Sequence, residues 1–234
     1  MSSLEISIFP KEIFETFGLP ITGTFLLSLI LGIFLFSIFF FGLKKKKISG
    51  SLQAFLEWIL ESFFNYIENI VGDRKKALEI FPLVCTLFLF ILFSNLLEIL
   101  PGVGVFHFFR SPSSDLSFTF PLAIVSMGYV HLQAIKKLGL LSHLKKFFNF
   151  KNPLFFFVGI LEGISEIVRT FSLAIRLFGN LFAGEILLIV VSDLFPFFLP
   201  LPFLLLETFV CFIQALIFST LVAIFYGIQT EKSE

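Results

Sequence analysis

From Thr24 to Leu43 no residue carries a charge, and an apolar stretch of about 20 residues is the length at which an α-helix crosses the hydrocarbon core of a bilayer. Further apolar runs follow at 78–100, 116–138, 154–192 and 203–229. Such a chain has little choice of structure, because in lipid every backbone N–H and C=O needs an internal partner, which a helix supplies within one segment. Composition agrees: 57% of the 234 residues are hydrophobic, 38 of them phenylalanine, far more than the core of a soluble domain absorbs. The expected fold class is an all-α integral membrane protein. It has five membrane-embedded helices, including two long tilted C-terminal helices, plus one amphipathic interfacial helix.

The whole chain, 1–234, reads as a single membrane domain. Residues 1–20 form an outside segment whose Glu5, Lys11, Glu12 and Glu15 argue against a cleaved signal peptide. The first spanning helix covers 21–43 and ends at Lys44 to Lys47. In the next segment, 51–72, Gln53, Glu57, Glu61, Asn65 and Glu68 recur at helical spacing among Phe and Ile, the pattern of a helix lying in the membrane interface. Pro101, Gly102 and Gly104 break the second span, and Ser111 to Asp115 is turn-forming. The run 154–192 would be roughly 60 Å of helix, about twice the hydrocarbon thickness; it must tilt, bend or break. Asp193, Pro196, Pro200 and Pro202 mark a turn before the last segment.

Charge placement sets the orientation. Lys44 to Lys47, Arg74 to Lys76, the lysines from Lys136 to Lys151 and Lys232 hold most of the 17 basic residues, and placing them in the cytoplasm puts the N-terminus outside and the C-terminus inside. Cys85 and Cys211 lie in apolar segments without pairing or metal-ligand spacing and read as small buried residues. His107, His131 and His143 lack ligand spacing and are read as loop or interfacial residues.

Polar groups then fall where lipid should exclude them. An arginine at bilayer depth costs between about 2.5 and 17 kcal/mol, yet Arg176 sits mid-run with Glu162, Glu166, Arg169, Asn180 and Glu185. At ~100° per residue, Glu162, Ser165, Glu166, Arg169, Ser172, Arg176, Asn180, Ala183 and Gly184 share one face of the helix. Glu185 points roughly opposite Arg176. Glu207, Cys211 and Gln214 share a face of the last helix, and Asn95 and Glu98 lie close on the second span. Pairing of Arg169 with Glu162 or Glu166 is the structural alternative.

A carboxylate in a poorly hydrated cavity can accept and release a proton near neutral pH, chemistry open to Glu185 and Glu207. Arginine stays charged and presents a rigid fork of donors. Carboxylates flanking such a cation describe a proton path with a block in its middle.

At these residues the chain resembles subunit a of F-type ATP synthases. The resemblance covers nearly all of it and is strongest from Glu162 to Leu188, in Ser172-Leu-Ala-Ile-Arg176-Leu-Phe-Gly-Asn180-Leu-Phe-Ala-Gly-Glu185. Asn95-Leu-Leu-Glu98-Ile-Leu-Pro101, Asp115, Ile135-Lys-Lys-Leu-Gly139 and Gln214-Ala-Leu-Ile-Phe218 add to it. The resemblance implies a proton-translocating stator subunit that is not itself an enzyme and carries no cofactor. It implies that Arg176 faces a carboxylate of the c-subunit ring. Glu185, Glu207, Asn180, Gln214, Asn95 and Glu98 would belong to an outer half-channel, and Glu162, Ser165, Glu166 and Ser172 to an inner one. The implied partners are the c ring, the peripheral-stalk b subunits, the rest of the ATP synthase and the lipid bilayer, with no nucleic acid and no directly bound nucleotide; no Gly-x-x-x-x-Gly-Lys-Ser/Thr stretch is present. Family members often combine histidine and glutamate where this chain has Glu185 and Glu207. The expected location is a bacterial plasma membrane, or else an energy-transducing organelle membrane, and the rival function is a secondary ion-coupled transporter.

Overall fold

The computed structural model describes residues 12–16, 19–44, 51–99, 111–140, 153–194 and 198–231. Lys11, Lys45 to Lys47, the break at Pro101 to Gly104, His107, Arg110, His143, Lys145, Lys146, Lys151, Pro196 and Lys232 lie outside them. A short antiparallel hairpin opens the described chain, β1 (Glu12–Thr16) with β2 (Leu19–Thr22), in the register Thr16↔Leu19 and Glu15↔Pro20. Strands of this length carry too little period-2 signal to be read from sequence. The other long elements are helices: α1 (Gly23–Lys44), α2 (Ser51–Val71), α3 (Arg74–Ile99), α4 (Leu116–Leu138), α5 (Pro153–Leu194) and α6 (Pro200–Gln229). Four of them, α3 to α6, are long and apolar enough to cross a membrane, and α1 is apolar over Gly23–Ser37.

Local chemistry explains the helix ends. The Asp73 carboxylate accepts from the Lys75 N–H at 2.9 Å, capping α3, so Arg74 to Lys76 become its first turn. Gly72 and Gly139 follow α2 and α4 with φ of 75° and 84°. Their N–H groups close onto Glu68 O and Ile135 O at 2.9 Å, a stop that needs the left-handed conformation glycine adopts without penalty. Pro200 and Pro202, expected to mark a turn, are instead inside α6. In a first turn the missing N–H leaves no hydrogen bond unmade. For all its length α5 is one continuous helix of 42 residues.

Within the chain the helices pack as two compact units. The first comprises Met1–Lys46, Leu89–Thr119 and Ile175–Ala215; the second comprises Lys47–Phe88, Phe120–Ala174 and Leu216–Glu234. Leu31, Ile91, Leu177, Leu181 and Ala215 are buried in the first. A polar knot stands beside them: Ser111 Oγ donates to Ser94 O at 2.9 Å and Ser113 Oγ to Ser94 Oγ at 2.8 Å, around the 3₁₀ turn Pro112–Ser114. In the second unit Ile67, Ile80, Val84, Val130, Leu173, Phe218 and Val222 are buried. There α2 lays Phe63 and Phe64 onto Phe81, with ring centroids 6.0 and 5.2 Å apart, while Trp58, Ile59, Leu60, Glu57 and Glu61 stay exposed.

Asp115 joins two elements of the first unit. One carboxylate oxygen caps α4 by accepting from the Ser117 N–H at 2.9 Å, and the other accepts from the Thr24 hydroxyl of α1 at 2.8 Å, both residues being buried. A lost cap costs about 0.5–2 kcal/mol and a lost buried hydrogen bond about 1 kcal/mol. Asp115→Ala is therefore expected to destabilise the protein by about 2 kcal/mol in denaturant unfolding in mixed micelles, and Asp115→Asn, which keeps the cap, by less.

Candidate functional site

The sequence-selected polar residues divide between the two units. In the first, α3 supplies Asn95 and Glu98, α5 supplies Arg176, Asn180 and Glu185, and α6 supplies Glu207 and Gln214. Asn95, Glu98, Glu207 and Gln214 are buried, Glu185 is half-buried, and Arg176 and Asn180 are exposed on the surface of the chain. The exposure follows from helix geometry: Leu173, Leu177 and Leu181 occupy the flank of α5 that packs inward, and Arg176, Asn180 and Ala183 fall on another.

Tight contacts tie this set together. Asn180 Nδ2 donates to Gln214 Oε1 at 2.8 Å, and Asn95 Nδ2 donates to the Cys211 carbonyl at 3.3 Å. Cys211 Sγ in turn donates to the Asn95 carbonyl at 3.7 Å, so a reciprocal pair of side-chain-to-backbone bonds joins α3 to α6. Glu98 and Glu207 both lie within electrostatic reach of Cys211, and Glu185 within reach of Glu207. Both oxygens of Glu207 are buried, and neither has a hydrogen-bond partner among the described residues. The carboxyl group sits directly against Gly184, where a side-chain carbon would collide with it. Glycine at 184 makes the room for Glu207.

The second unit holds Glu162, Ser165, Glu166 and Ser172 on α5. Ser165 and Ser172 are exposed, Glu162 is half-buried and Glu166 is buried. Glu166 accepts from Gln229 Nε2 at the end of α6, and its other oxygen lies 3.2 Å from His131 Nε2 on α4. His131 is therefore not a loop residue but part of a spanning helix that faces a carboxylate. Arg169, considered as a partner for Glu162 or Glu166, places its guanidinium over the Phe225 ring at 5.2 Å. A further cluster joins Tyr226, whose hydroxyl donates to Glu79 at 2.6 Å, with Lys137, which pairs with the same carboxylate and lies 5.2 Å from the Tyr226 ring.

Sequence reasoning missed His131, Gln229, Glu79, Lys137 and Tyr226. Their pairings run between helices, which spacing within one helix cannot reveal. A lone histidine inside the apolar run 116–138 was the one signal on offer.

Comparison with known proteins agrees with this architecture. A family model described as ATP synthase A chain matches residues 24–227. ATP synthase subunit a of Moorella thermoacetica is 37% identical over 213 residues, covering 91% of this chain and 92% of the relative. The subunit a of Legionella pneumophila is 34% identical, with 94% and 92% covered, and that of Campylobacter jejuni is 35% identical, with 78% and 76% covered. On the strength of a match that spans all six helices, the chain belongs to the ATP synthase subunit a family.

Proposed function

We propose that this chain is the proton-translocating stator subunit of an F-type ATP synthase in a bacterial plasma membrane, working without catalytic chemistry of its own. One observation carries the reading: Arg176, with Asn180 and Ala183, lies exposed on a helix long and apolar enough to span a membrane. A guanidinium there is untenable against lipid and finds its place against a partner that brings a carboxylate. The c-subunit ring is that partner, and the peripheral-stalk b subunits hold the stator against it.

In this mechanism the first unit forms the outer half-channel. Asn95, Glu98, Asn180, Glu185, Glu207 and Gln214 line it, and Glu207, whose oxygens make no hydrogen bond among the described residues, is the position best suited to a proton that comes and goes, since a fixed buried charge without partners is costly. Glu162, Ser165, Glu166 and Ser172 line the inner half-channel. A proton entering from outside neutralises a ring carboxylate, which then leaves Arg176, travels round with the ring and discharges inward. Arg176 stops the short route because it cannot give up its own proton. The membrane potential drives the cycle with about 2.3 kcal/mol per charge per 100 mV, to which the pH gradient adds.

Arg176→Ala is expected to abolish ATP-driven proton pumping in inverted membrane vesicles, and Arg176→Lys not to restore it, because an ammonium lacks the rigid fork and loses its proton more readily. Normal coupled pumping by either variant would overturn the assignment. Replacing Glu207 or Glu185 with Gln removes a titrating group while keeping its shape, and each change should slow passive proton flux about tenfold or more; an unchanged flux removes that residue from the path. Gly184→Ala should also slow flux, because the added methyl displaces the Glu207 carboxyl at a cost of about 1–3 kcal/mol. Shortening that side chain with Glu207→Asp in the same protein should recover part of the loss, measured by fluorescence quenching of a pH dye.

A further inference from the structure

Resting on the reading of the second unit as the inner half of a proton path, we infer that His131 and Glu166 form a proton-exchange pair at which that path meets the cytoplasmic water, with Gln229 as the residue that positions Glu166. Three helices build it. Glu166 of α5 is buried, and each of its oxygens has a partner on another helix: Gln229 Nε2 of α6 on one, His131 Nε2 of α4 at 3.2 Å on the other. His131 keeps 28% of its side chain accessible where Glu166 keeps 10%. The imidazole thus spans the step from a buried carboxylate to the accessible surface of the unit.

The chemistry follows from the residue types. With Nε2–H donated to the Glu166 carboxylate, the basic nitrogen of the imidazole is Nδ1. A hydronium ion gives up its proton there, its O–H bond breaking as the Nδ1–H bond forms, and the imidazolium then passes its Nε2 proton to the Glu166 carboxylate; release to the water runs the same two steps backwards. Histidine is the side chain whose ordinary titration falls in the physiological range. Gln229 does not titrate, and its own Oε1 is buried without a hydrogen-bond partner among the described residues, so its amide is committed to holding Glu166. Of the neighbouring charges, Glu162 and Arg169 flank Glu166 one turn to either side on α5, Arg169 lying over Phe225, and Lys137 of α4, Glu79 of α3 and Tyr226 of α6 engage one another. Neither Glu79 nor Lys137 replaces His131 at Glu166.

A collector of this kind matters most when protons are scarce on the cytoplasmic side. The test uses the complete ATP synthase in inverted vesicles, where ATP hydrolysis draws protons from the medium. His131→Gln and Glu166→Gln are expected to lower the pumping rate about tenfold at about pH 8.5 and less than about twofold at about pH 6.5. The double variant should be no slower than the slower single one, as for two groups acting as a unit. Gln229→Ala should show a weaker form of the same pH dependence. Unchanged rates across the pH range with the c ring retained would overturn the pair. So would a deficit equal at both pH values, or loss of the ring from both single variants, since either outcome marks a packing contact. Arg176→Ala run alongside separates the two readings: if it abolishes pumping while His131→Gln has no effect, the pair fails and the stator function stands.

Discussion

Hydrocarbon offers no hydrogen-bond partners, and that one constraint organises this protein from its backbone to its charged side chains. It makes the long elements helices. It also favours polar side chains that find a partner, some within their own helix and several on another. Asp115 binds Thr24 while capping α4; Asn180 reaches Gln214, Asn95 reaches Cys211, and Glu166 receives both His131 and Gln229. In lipid these bonds are as much a device of packing as apolar contact is, because side chains of Leu and Phe gain little from leaving one apolar surroundings for another.

The same constraint gives weight to the residues that depart from it. Arg176 is exposed on the chain while Leu173, Leu177 and Leu181 of its own helix are buried. Glu207 is buried with no hydrogen bond to either oxygen among the described residues, beside a glycine that leaves space for it. An exposed cation and a buried, unbonded acid on two long apolar helices are expensive features for stability alone. Both fit the proposed role, in which the chain presents a charge to a rotor and passes a proton through its own interior.

His131 illustrates how a contact between helices can hide in a single residue. Nothing along its own helix announces it, since a lone imidazole in an apolar run makes no motif. Its meaning comes from Glu166, 35 positions later in the chain, and from Gln229 at the end of α6. Among the described residues the first unit holds no histidine and the second holds His131.

Taken alone, the amino-acid order determined the class of fold, the apolar helices, and the placing of Arg176, Glu185 and Glu207 within apolar runs. Such features depend on length, period and nearest neighbours, which a linear chain carries in full. It also carried the family motif around Arg176. Only the tertiary structure decided which polar groups meet: that Glu166 turns to His131 and Gln229 while Arg169 lies over Phe225, that Glu207 rests on Gly184, and that α6 begins at Pro200. These are choices among several helix faces of similar apolarity, settled by how side chains from distant segments fit, and no spacing within one helix encodes them.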